Sequence, residues 1–202
     1  MKAYMKSTMP YYGINMPEVR AIARGVFDGS PMTCDEWRET ILTLWRGARR
    51  REERYVAQFL LEHKRHRECL SPHDMPMLEE MVVTGAWWDL VDELATVIGE
   101  LLRRHPKQLR PLMRRWCTDP NLWKRRVSII CQLRFKADTD LELLYANIEP
   151  NLGDRDFFIR KAIGWALRQY AWTDPKEVAR YVRANEARLS GLSKREALKN
   201  IG

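Results

Sequence analysis

The stretch Trp87-Trp88-Asp89-Leu90-Val91-Asp92 sets aromatic rings and carboxylates at helical spacing. In a helix that begins here, Trp88 stands one turn before Asp92 on the same face, so an indole lies beside a carboxylate. Aromatic faces of this kind hold a sugar, a base or a cation. Trp165 and Arg126, the latter in Trp123-Lys124-Arg125-Arg126, belong to the same candidate set. Residues 101–136 carry eleven Lys or Arg against one acid, Asp119. A carboxylate in so basic a chain needs a partner or a task.

Other chemistries are not signalled. The sequence holds no Gly-rich phosphate loop, no H-E-x-x-H, no G-x-S-x-G and no Cys-His nucleophile pair. His63, His66, His73 and His105 make no metal-ligand pattern, so neither a metal nor a nucleotide cofactor is expected. His63 and His66 lie among Lys64, Arg65 and Arg67 and read as a solvated basic face. Cys34, Cys69, Cys117 and Cys131 are widely spaced without a C-x-x-C pair, and read as small apolar residues rather than a zinc site or a disulfide framework.

The elements that must position these residues are helices. Apolar residues recur at helical spacing between Pro, Gly, Asn and Asp breaks, and no sustained alternation marks a strand. The periodicity predicts an all-α chain with helices near 17–28, 34–47, 51–65, 73–84, 88–105, 107–117, 121–135, 139–148, 155–171, 174–188 and 193–200. Thr33-Cys-Asp-Glu36 and Ser193-Lys-Arg-Glu196 read as capping boxes, and Thr173-Asp-Pro-Lys as an N1-proline start.

Val56, Val91, Val127 and Ala162 occupy one repeated position at separations of 35, 36 and 35 residues. A near-constant period predicts a solenoid of stacked helix pairs. The TPR signature is absent, so the units are expected to be HEAT-like, in an α-α superhelix whose concave, basic side is lined by one helix from each pair.

The register acts as a control on each candidate. One place after the repeated valine stand Ala57, Asp92, Ser128 and Ile163, and Asp92 is the exception. It is either a solvated carboxylate or, as its register suggests, a half-buried group at a groove wall. Trp165 aligns with Phe59, Leu94 and Ile130, which leaves core packing and an aromatic wall both open. Arg126 is a solvated base, half of an ion pair or a phosphate contact.

The chain has 202 residues, 45% hydrophobic and 31% charged, with a formal net charge of +8. Those values suit one domain spanning residues 1–202 and a polyanionic partner. No apolar run has the length of a signal peptide or a membrane span, and a cytoplasmic location is expected.

Five blocks together resemble the AlkD-like family of DNA alkylation-repair glycosylases, built from HEAT-like repeats. They are Ala3-Tyr-Met-Lys6 with Gly13-Ile14, Trp87 to Asp92, Asn121 to Arg126, Phe157 to Arg168, and Leu192 to Ala197, in family order over nearly the whole chain. The resemblance implies Asp92 as catalytic carboxylate, Trp88 and Trp165 as aromatic walls, Arg126 as the cleft arginine and Tyr4 as an aromatic near the site. Lys124, Arg125, Arg160 and Lys161, within the same blocks, are expected phosphate contacts. The first block begins almost at residue 1, where members carry about one more helix, so the first repeat is expected to be incomplete.

The implied reaction is excision of positively charged alkylpurines, 3-methyladenine and 7-methylguanine, from duplex DNA by a monomeric enzyme without cofactor. A charged purine leaves without protonation, so one carboxylate suffices to stabilise the cationic sugar and orient water. A non-catalytic HEAT-like module binding nucleic acid or protein is the competing expectation.

Overall fold

The computed structural model describes residues 7–29 and 31–201. Its described residues form eleven α-helices and no strands: α1 (Met16–Phe27), α2 (Cys34–Gly47), α3 (Arg51–Leu61), α4 (Met75–Gly85), α5 (Trp88–Arg104), α6 (Pro106–Trp116), α7 (Leu122–Ile130), α8 (Leu141–Ile148), α9 (Phe157–Ala171), α10 (Pro175–Ala184) and α11 (Gly191–Ala197). The all-α, helical-repeat expectation holds. Two compact units divide the chain, Met1–Met81 and Val82–Gly202.

In the first unit α3 packs on both α1 and α2. Thr33 caps α2 in the reciprocal capping box predicted for it, with Glu36 returning to the Thr33 backbone N–H. The buried Glu52 of α3 accepts the backbone N–H groups of Tyr12 and Gly13, fastening the preceding segment; Gly13 has φ +91°, which glycine adopts without strain. The predicted helix 51–65 stops at Leu61, and a 3₁₀ segment, Lys64–Cys69, takes over.

Two expectations fail in this unit. His66 is 3% exposed, not part of a solvated face, and burial pushes its imidazole below the ordinary pKa, with His63 and Arg65 adding to the effect. Cys34 and Cys69 are joined in a disulfide, and Cys34 is exposed. Spacing alone could not reveal the pair, because the two cysteines meet only after α2 and α3 fold back on each other. Cys117 and Cys131 are free and buried, as small apolar residues are.

In the second unit α5, α7, α9 and α11 stack as successive inner helices. Outer helices α6, α8 and α10 lie beside them, with α6 against both α7 and α8. The layering follows from one-sided apolar faces: α5 buries Leu90, Val91, Leu94, Ala95, Ile98, Leu101 and Leu102 at i, i+3 and i+4 spacing. Asp174 caps α10 with Pro175 at its first position, as read from the sequence. The second capping box is misplaced: α11 starts earlier, capped by Ser190, while Ser193 donates to the Arg160 carbonyl at 2.9 Å and Glu196 pairs with Lys161 and Arg168. Contact with α9 claims those two side chains for the interface.

Two glycines set how closely the inner helices approach. A Cβ on Gly99 of α5 would collide with the Cys131 carbonyl at the end of α7. A Cβ on Gly164 of α9 would lie 2.5 Å from the Glu196 Cβ and 2.8 Å from the Ser193 carbonyl oxygen on α11. Alanine at either site gains helix propensity of about 1 kcal/mol but forces neighbouring backbone apart. We expect Gly164→Ala to lose roughly 1–3 kcal/mol of stability in urea unfolding, and Gly99→Ala at least as much.

Candidate active site

Three consecutive inner helices of the second unit place their first turns at one location. Trp87 is the N-cap of α5, Trp123 is second in α7 and Phe158 second in α9. Their rings pack on one another, with centroids 6.3 Å apart for Trp87–Trp123, 5.4 Å for Trp87–Phe158 and 5.0 Å for Trp123–Phe158. Phe157, 53% exposed, meets Phe158 edge-on at 5.5 Å. Side chains of Asn121 and Asp156 cap α7 and α9 and hold the Trp123 and Phe158 backbone N–H groups.

Sequence reasoning missed this aromatic ladder, although a signal for it was present. Trp87, Trp123 and Phe158 all stand four places before the repeated Val91, Val127 and Ala162. Aromatics at one register position in three successive repeats meet because the repeats stack.

Beside the ladder lies the charge. Arg126, with 4% of its side chain exposed, donates from Nε to Asp92 Oδ1 and from Nη2 to Oδ2, both at 2.7 Å; the Asp92 side chain is 14% exposed. Nη1 of the same guanidinium donates to the Phe158 carbonyl at 2.7 Å, and its carbon lies 6.0 Å from the Phe158 ring centroid. One arginine therefore ties α5, α7 and α9 together. Burial raises the Asp92 carboxyl above its ordinary pKa, against the hydrogen bonds and charge of Arg126, while Asp89 raises it a little further. Both carboxylate oxygens accept from the fork, the pattern of the ionised form. Each oxygen retains a lone pair for a further donor.

Trp88 opens α5 one turn before Asp92 and is half-buried. Trp165 lies seven residues, two helical turns, beyond Phe158 and is also half-buried, whereas Phe59, Leu94 and Ile130 at its register position are buried. The other candidate cations are engaged within the protein. Lys124 meets Asp119 at 2.5 Å and lies 5.4 Å over the Trp116 ring. Arg125 holds the Asp119 carbonyl at 2.9 Å and Asp154 at 3.1 Å, Lys161 pairs with Glu196 at 2.7 Å, and Arg160 donates to the Asp156 carbonyl at 3.3 Å. Tyr4 lies outside the described residues. The basic run 101–136 is dispersed over the end of α5, outer helix α6, the start of α7 and the turn beyond it. Among the described residues no group of His, Cys, Asp and Glu could hold a metal, and no helix is long and apolar enough to cross a membrane.

The sequence model of a family described as DNA alkylation repair enzyme matches residues 1–201. The chain belongs to that family. Among solved structures, one described as a predicted DNA alkylation repair enzyme from Enterococcus faecalis is 31% identical, with a TM-score of 0.89 over 100% of this chain and 93% of the other. No curated protein matches. Membership makes the chain one of an enzyme family of DNA alkylation repair, with DNA as substrate, and supports the AlkD-like resemblance carried by its motif blocks.

Breaking the pair costs more stability than its formation contributes. Arg126→Met leaves the Asp92 carboxylate half-buried without its partner, and we expect a loss of about 3 kcal/mol in chemical denaturation. Asp92→Asn together with Arg126→Met removes both charges and should lose less than the two single variants added. Strict additivity would mean that the fork carries no coupling.

Proposed function

We propose that the chain is a monofunctional DNA glycosylase that hydrolyses the N-glycosidic bond of positively charged alkylpurines, 3-methyladenine and 7-methylguanine, in duplex DNA. The observation that carries the reading is the Asp92 carboxylate, half-buried yet held by a guanidinium, near packed aromatics in a chain of a DNA alkylation repair family.

Alkylation at N3 or N7 gives the purine a formal positive charge, so it leaves as a neutral base and needs no acid. Positive charge then grows on the sugar. Asp92 stabilises it and orients water toward C1′, using the lone pairs that Arg126 leaves free. Partial burial strengthens that attraction, because little water screens it. The faces of Trp88 and Trp165 form the walls of the site and add cation–π attraction. Arg126 keeps the carboxylate ionised and directed.

Lys124, Arg125, Arg160 and Lys161 contact phosphates on a concave basic surface, exchanging their internal partners for the DNA backbone. Such contacts hold DNA in a salt-dependent manner and carry little base-sequence information. The enzyme works as a monomeric single domain in the cytoplasm and needs no cofactor. The sequence singles out no lysine as a Schiff-base nucleophile, so the proposed enzyme has no lyase step.

The decisive measurement is release of free methylpurines from methylated duplex DNA. Asp92→Asn should release them at least about 100-fold more slowly, with DNA binding unchanged or tighter. Activity requires the ionised carboxylate, so the rate should fall as pH drops through a pKa above the ordinary 3.8; an acid limb at or below that value would remove Asp92 from the role. Borohydride should trap no enzyme–DNA adduct. No release by the wild-type chain, with salt-sensitive DNA binding retained, would leave a non-catalytic binding module.

A further inference from the structure

The Cys34–Cys69 bond lies in the first unit, among residues the proposed excision chemistry does not use. Cys34 is the first residue of α2 and exposed; Cys69 is the last of the 3₁₀ segment Lys64–Cys69 and half-buried. The two segments are also fastened independently of sulfur. Arg38, one turn after Cys34, donates from Nε to Asp74 Oδ1 at 2.5 Å and from Nη2 to the Cys69 carbonyl at 3.0 Å. Asp74, buried, in turn accepts the Ser71 backbone N–H at 2.8 Å and hydroxyl at 3.2 Å. Residues 69–74 therefore stay against the first turn of α2 when the sulfur bond is absent. The other two cysteines are buried, and burial pushes the Cys131 thiol up to about 12, so they take no part in exchange.

We propose that Cys34 and Cys69 are a reversible redox modification site, closed by peroxide and opened by small thiols, which switches in the folded protein because Arg38 holds the two cysteines within reach in both states. In closing, the exposed Cys34 thiolate attacks a peroxide oxygen and becomes a sulfenic acid as the O–O bond breaks and water leaves. The Cys69 thiol then attacks the sulfenyl sulfur, forming the S–S bond and expelling a second water. In opening, a small thiolate attacks Cys34 Sγ, forming a mixed disulfide there and releasing Cys69, which takes a proton. A second small thiol frees Cys34 and leaves as the oxidised dimer, so two electrons pass in each direction. In a thiol-rich compartment the pair rests open and closes on oxidation.

The test equilibrates the full chain, without denaturant, in glutathione buffers of graded oxidation, followed by alkylation and intact-mass analysis. We expect Cys34 and Cys69 to interconvert fully while Cys117 and Cys131 stay reduced, with helical circular dichroism preserved in both states. Arg38→Met should lower the effective concentration of the pair at least tenfold. Wild-type protein supplies a second readout, free of any folding defect in the variant: in the open state Cys34 should be alkylated at least tenfold faster than Cys69. A bond that forms or breaks only in denaturant overturns the proposal, as do equal alkylation rates or an Arg38→Met chain that closes as readily as wild type.

Discussion

A carboxylate shielded from water survives in its charged form only with a partner close enough to replace the lost hydration, and in this chain that partner is Arg126. Its guanidinium satisfies three demands at once. Two nitrogens hold Asp92, fixing its rotamer and favouring its ionised form against the effect of burial. The third holds the Phe158 carbonyl, so α9 is registered against α7 through the same side chain. A lysine in that position could match the charge but not the planar three-way geometry.

The arrangement depends on helices that approach closely at some points and stand apart at others. Gly99 and Gly164 let backbone meet backbone where α5 meets α7 and α9 meets α11. At the first turns of α5, α7 and α9, the rings of Trp87, Trp123 and Phe158 pack on one another, and Arg126 links Phe158 to Asp92. The solenoid thus supplies a tight framework and an aromatic cluster from one repeating pattern, changing only which side chain occupies each place.

Basic character divides into two kinds of work. Lys124, Arg125 and Lys161 meet carboxylates inside the protein, and Arg125 also steadies the turn that presents Asp156 as the cap of α9. Their charge joins neighbouring segments of the second unit. Exposed residues such as Arg104, Lys107, Arg114 and Arg115 contribute to the positive field that draws a polyanion toward the surface.

Much of the fold was legible because helices and their repeat are written in local spacing. Apolar residues at i, i+3 and i+4, the Thr33 capping box, the Asp174-Pro175 start and the period of the repeated valine all act within one or two turns or recur from unit to unit. The oddity of Asp92 in its register was equally visible, since it rests on comparison between positions along the chain. Tertiary structure alone decided which partner each polar group took. Arg126 reaches Asp92 across 34 residues, Cys34 meets Cys69 across 35, Ser193 and Glu196 turn from capping to the α9 interface, and His66 enters the interior. These pairings depend on distances between helices, set by the volumes packed between them and by the glycines that let backbones touch. A one-dimensional pattern carries the face a residue occupies, but not what the opposing helix brings to it.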